Sequence, residues 1–157
     1  MNDYRLNELE EILELLYEKL SAFQKELITS ASPNIQFELK QRIKKEILPS
    51  IRSYEAEYWQ IYPEERIHFS EEEANGQLLK IESSISSIST IPKSDLSSQL
   101  IYLLQDIQLK LKQEKTASGK LKVVIPLIPM IASYELEVET EGYMYKTWMA
   151  LKRLIRR

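Results

Sequence analysis

Leu6, Leu9, Leu13, Leu16, Leu20, Phe23 and Leu27 recur at spacings of three and four residues, and no other feature restricts the fold as much. Such a stripe runs along one side of an α-helix and needs a second apolar surface to cover it. The next residues supply one. Ser32 suits a helix N-cap, and Pro33 suits the first helical position, where its missing N–H costs nothing. Ile35, Leu39, Ile43, Ile47, Ile51, Tyr54, Tyr58 and Ile61 then continue a helical period through Pro49, which predicts a kink there. Residues 5–62 therefore predict an antiparallel helical hairpin, taken as a first domain over 1–63.

The second part, 64–157, opens after Pro63-Glu64-Glu65-Arg66 breaks the pattern. Ser70-Glu71-Glu72-Glu73 has the spacing of a capping box, and Ala74, Leu78, Ile81, Ile85 and Ile88 mark the helix it starts. The serines at 83, 84, 86 and 87 weaken intrinsic helicity, so packing has to hold this helix. Leu96, Leu100, Leu103, Ile107 and Leu111 mark another, closed by Thr116-Ala117-Ser118-Gly119. From Lys120 the period reads as two. Leu121, Val123, Ile125 and Leu127 share one face, and Tyr134, Leu136 and Val138 alternate with polar residues. A turn near Pro129-Met130 would set Lys122 opposite Glu137 and Lys120 opposite Glu139. Met144, Trp148, Leu151 and Ile155 stripe a final amphipathic helix. The expected class is mainly α with a small α+β part. It has an N-terminal helical hairpin, two further helices, and a C-terminal β-hairpin followed by an amphipathic helix. The two parts can pack as one body.

Composition narrows the chemistry. The chain of 157 residues has no cysteine, which removes disulfides, thiol catalysis and cysteine-ligated metals. A net charge of -3 gives no general attraction to nucleic acid. The first residues lack the pattern of a signal peptide. The longest apolar run, 123–132, has ten residues including two prolines, against about twenty for a membrane-spanning helix. The expected location is the cytoplasm, with peripheral contact at the inner membrane as the variant.

Three glycines, at 76, 119 and 142, are too few for a dinucleotide-binding loop, and no Gly-Lys-Ser/Thr phosphate cradle occurs. His68 is the single histidine. Glu65-Arg66-Ile67-His68 matches half of a di-iron motif without a second copy, so a connecting histidine is the simpler reading. Glu8, Glu10, Glu11, Glu14 and Glu18 lie largely off the leucine seam, as on a solvated helix face. Tyr54, Tyr58, Trp59 and Tyr62 cluster late in the second helical stretch. Core packing is favoured there over a ligand cage, although Tyr58 and Trp59 also qualify as interface anchors. At the C-terminus, Lys146, Lys152, Arg153, Arg156 and Arg157 surround the stripe containing Trp148. That makeup fits internal packing with a dipole-matched basic end, docking on a partner, or an anionic membrane surface.

The segments Leu16-Tyr17-Glu18-Lys19-Leu20, Pro33-Asn34-Ile35-Gln36-Phe37-Glu38-Leu39-Lys40 and Tyr54-Glu55-Ala56-Glu57-Tyr58-Trp59 together resemble helical effector-associated modules of bacterial, often cyanobacterial, conflict-signalling proteins. Lys120-Leu121-Lys122, Ile125-Pro126-Leu127-Ile128-Pro129, Ser133-Tyr134-Glu135-Leu136-Glu137 and Thr140-Glu141-Gly142 look like a small α+β module of the same systems. The resemblance implies association with like modules or with partners, and it carries no catalytic residue across. The expected function is thus a non-enzymatic adaptor or regulatory module in defence or signalling, with protein partners, including self-association. No cofactor, metal, nucleic acid or small-molecule substrate is expected. The competing expectation is an effector that perturbs membranes through the apolar hairpin and the basic helix around Trp148.

Overall fold

The computed structural model describes residues 2–138 and 141–155. Contacts divide the chain into two compact units, Met1–Tyr62 and Pro63–Arg157.

The first unit is a helical hairpin. Helix α1 (Asn2–Thr29) turns through residues 30–32 into α2 (Pro33–Arg42), a wide π turn (Ile43–Ile47) and α3 (Leu48–Ile61). The Ser32 hydroxyl accepts from Ile35 N, and the Gln36 side chain donates to the Ser30 carbonyl at 2.6 Å, which fastens the short turn. Proline 49 removes a helical donor and its ring crowds the carbonyl four residues back. The π turn ahead of it accommodates this, with Leu48 N bonded to the Ile43 carbonyl. It inserts one residue into the period, which is why Ile47 and Leu48, adjacent in sequence, are both buried.

Leu6, Leu9, Leu13 and Leu20 of the seam are buried, and Tyr17 joins them. Each fully buried leucine contributes about 1.5–3 kcal/mol relative to exposure. Two side-chain hydrogen bonds link the helices of the hairpin. The Tyr17 hydroxyl donates to Glu55 Oε2 at 2.8 Å, and the Tyr58 hydroxyl donates to Glu10 Oε1 at 2.6 Å. Since Glu55 is fully buried, Tyr17→Phe should cost about 1–2 kcal/mol in urea unfolding by removing a donor that desolvation made necessary. An unchanged stability would contradict that role.

The second unit contains α4 (Glu71–Ser89), α5 (Ser98–Gln113), α6 (Ala117–Val124), a 3₁₀ turn (Ile125–Leu127), α7 (Ile128–Glu137) and α8 (Tyr143–Ile155). Helix α4 packs on α6 and α8, α5 on α6 and α7, and α7 on α8. The capping box at Ser70 and Glu73 is formed in both directions. The serine-rich stretch of α4 has a packing role. The Ser84 hydroxyl is 2.7 Å from that of Thr147 and also bonds the Tyr143 carbonyl, so small residues let α4 and α8 approach closely.

The expected C-terminal β-hairpin does not exist. Among the described residues there is no strand, and the fold is all-helical. Residues 120–138, read from alternation as two strands, form α6, the 3₁₀ turn and α7. The buried residues Leu121, Val124, Ile125, Ile128, Pro129, Ile131, Ala132, Ser133 and Glu135 are linked by spacings of three and four. Pro126 and Pro129 each stand in the first turn of a helical element, where no donor is lost. Lys122 lies in α6 and Glu137 in α7, so their cross-strand pairing is also corrected; Glu139 lies outside the described residues. Thr116, read as the close of α5, instead caps α6 through a bond from Gly119 N.

Candidate interaction surfaces

Trp148 is 0% exposed. With Met144 and Leu151, also buried, it forms the inner face of α8, whose packing neighbours are α4 and α7. Of the three arrangements open to this apolar stripe, the buried side chains are those of internal packing, and the stripe is part of the core. Lys152 is half-buried and Arg153 exposed in the last turn of α8, where cations complement the helix dipole. Arg156 lies outside the described residues.

Tyr58 is buried as well, while Trp59 is half-buried. The Tyr58 ring meets Trp59 edge-on at 4.9 Å and Tyr62 at 5.4 Å, and Trp59 lies 5.2 Å from Tyr62. Rings this close fill one another's space, which is packing geometry and leaves no cage among them. His68 is exposed in the segment between the 3₁₀ turn at Glu64–Arg66 and α4. Among the described residues no three His, Asp or Glu side chains are grouped to hold a metal. No helix among them is long and apolar enough to cross a membrane.

Two carboxylates in the second unit each cap a helix other than their own. Gly142, at φ 77°, sits at the N-cap position of α8, accepting from Lys146 N, and has no side chain with which to cap. Buried Glu135 from α7 supplies the acceptor, taking bonds from Tyr143 N and Met144 N at 2.7 Å each. Glu71 does the same for α6. It accepts from the Ser118 hydroxyl at 2.6 Å, from Ser118 N at 3.1 Å and from Ala117 N at 2.9 Å.

Those bonds, the Ser118 side chain's first, hold the Glu71 carboxyl below its ordinary value of 4.5. A carboxylate lowered on folding stabilises the fold above its unfolded pKa and loses that contribution as pH falls through the folded value. Glu71→Gln should therefore lower the thermal midpoint at neutral pH. Its difference from the parent should shrink on acidification below the ordinary glutamate range. A pH-independent difference would contradict the bonding role.

One open surface of the second unit has interface chemistry. Ser98, Gln99, Tyr102 and Leu103 of α5 and Met130 and Tyr134 of α7 line a shallow groove of about 490 Å³. Tyr102 is 66% exposed. It lies on the side of α5 away from the buried Leu100, Leu104, Ile107 and Leu111, and exposed Leu109 shares that side one heptad on. The signal in the sequence was an aromatic residue off the apolar period of its helix, a place normally polar. A thioether and two phenols give an adaptable apolar floor with polar rims, the composition of protein contact surfaces.

Comparison of the chain with family models, curated proteins and solved structures returned no match.

Proposed function

We propose that this chain is a non-catalytic adaptor that receives an apolar segment of a partner protein in the groove between α5 and α7. The observation that carries the reading is the exposure of Tyr102 beside Met130, Tyr134 and Leu103. Tyrosine and methionine are over-represented where proteins bind, and here they are brought together on one open surface. The groove is open and shallow, which suits the side chains of a helix or extended segment more than an enclosed small molecule. A place in a bacterial defence or signalling system is the setting implied by the resemblance of the N-terminal hairpin.

Affinity capture with the parent chain and with Tyr102→Asp tests this. A protein retained by the parent, retained by the distant surface variant Leu79→Asp and lost by Tyr102→Asp is the expected result. Capture profiles that do not differ between parent and Tyr102→Asp would contradict it.

A further inference from the structure

The first unit is electrically polarised. Residues 6–18 of α1 carry Glu8, Glu10, Glu11, Glu14 and Glu18 and no cation. From residue 19 to 46, around the closed end of the hairpin, the six cations Lys19, Lys25, Lys40, Arg42, Lys44 and Lys45 outnumber the three carboxylates Glu26, Glu38 and Glu46, the last paired with Arg42 at 3.5 Å. Each charged region also exposes large apolar side chains. At the closed end Ile28 is 83% and Phe37 65% exposed. Phe37, Lys40 and Lys44 follow one another at spacings of three and four and are all exposed, so they share an outward face. Phe23 beside them has the Arg42 guanidinium 4.8 Å from its ring centre. On α1, Tyr4, Glu8, Glu11, Leu15 and Glu18 repeat at spacings of four and three on the side opposite the buried leucines, and Leu15 is 65% exposed.

One surface thus joins apolar side chains to cations and the other joins apolar side chains to carboxylates, on different parts of the same unit. We infer that the closed end of the hairpin docks on the outward α1 stripe of a second copy. Phe37 and Ile28 would cover Leu15 and Tyr4, and Lys40 and Lys44 would face Glu11 and Glu18. The stripe spans roughly 21 Å from Tyr4 to Glu18 at a helical rise of about 1.5 Å per residue. Because two different surfaces meet, the contact is heterologous. Each copy keeps one free end and one free stripe, so association continues beyond the dimer unless a ring closes. Long-range attraction between opposite charges makes it strongest at low salt. The inference is independent of the groove in the second unit.

Sedimentation of the purified full-length chain tests it. At low salt the average mass should rise with concentration past that of a dimer, and in high salt it should return towards the monomer. Lys40→Glu with Lys44→Glu, and separately Glu11→Lys with Glu18→Lys, should each weaken association about tenfold or more. Mixed, the two variants should assemble past the dimer in alternation, because the intact stripe of the first meets the intact end of the second and its reversed end meets the reversed stripe. All four changes in one chain should restore association, since the charges are again opposite. Tyr102→Asp should assemble like the parent, which separates this surface from the groove. Circular dichroism checks folding; the milder Lys40→Gln with Lys44→Gln carries the test if reversal unfolds the hairpin.

A chain that stays monomeric at low salt would overturn the inference. So would assembly indifferent to the four charges. A monomer that instead sediments with phosphatidylserine vesicles through Lys40 and Lys44 would overturn it too, assigning the closed end to a lipid surface.

Discussion

Trp148→Ala is expected to destabilise the second unit by about 3–5 kcal/mol, the usual cost of truncating a buried large aromatic side chain. Trp148 has no exposed surface, and the helix that carries it packs on both α4 and α7. The void left by the indole would open among elements that cannot all close on it, since α4 and α8 are already held together through Ser84 and Thr147. Domains are stable by only about 5–15 kcal/mol, so the variant should lie near the edge of folding. Trp148→Phe, which keeps a ring in place, should lose much less. Chemical unfolding followed by far-ultraviolet circular dichroism measures both. If Trp148→Ala were as stable as the parent, α8 would not be a core helix, and its apolar stripe would again be available for docking.

Glu135→Ala should cost about 3 kcal/mol. The substitution strips the acceptor from two amides at the start of α8, Tyr143 N and Met144 N, and an unsatisfied buried donor costs about 1–3 kcal/mol. Neither amide can turn to an N-cap side chain, because Gly142 has none and its positive φ disfavours substitution. Glu135→Gln keeps one carbonyl oxygen and should recover part of the loss. Hydrogen exchange locates the damage. Amides in the first turn of α8 should lose protection in Glu135→Ala while those of α5 keep theirs; equal loss everywhere would mean that the carboxylate acts on the whole core and not as a cap.

The two carboxylate caps also show where sequence reasoning ran out. The helical hairpin was legible because Leu6 to Leu20 keep one period over several turns and because Ser32 and Pro33 mark a boundary by local chemistry. The Ser70–Glu73 box was legible for the same reason. Residues 120–138 were not. In an apolar run this short, Leu121, Val123, Ile125 and Leu127 fit alternation, while Leu121, Val124, Ile125 and Ile128 fit a helix equally well. Pro126 would leave a gap in a strand's ladder but is favourable in the first turn of a helical element. That choice of period hid the chemistry. On a strand Glu135 alternates towards solvent, whereas on α7 it shares the buried face with Ile128, Ile131 and Ala132. The groove escaped notice because its lining comes from α5 and α7 together, and α7 was not recognised as a helix. Tyr102 alone is an exposed aromatic; beside Met130 and Tyr134 it becomes a surface.

The adaptor reading is tested most directly by placing a photo-activatable phenylalanine analogue at position 102 and irradiating the cells that make the protein. A second chain carrying the same analogue at exposed position 79 of α4 serves as the control. A discrete cross-linked protein obtained from 102 and not from 79 is the result expected if the groove between α5 and α7 receives a partner. No adduct from 102 beyond that of the control, with the protein folded and expressed, would contradict it.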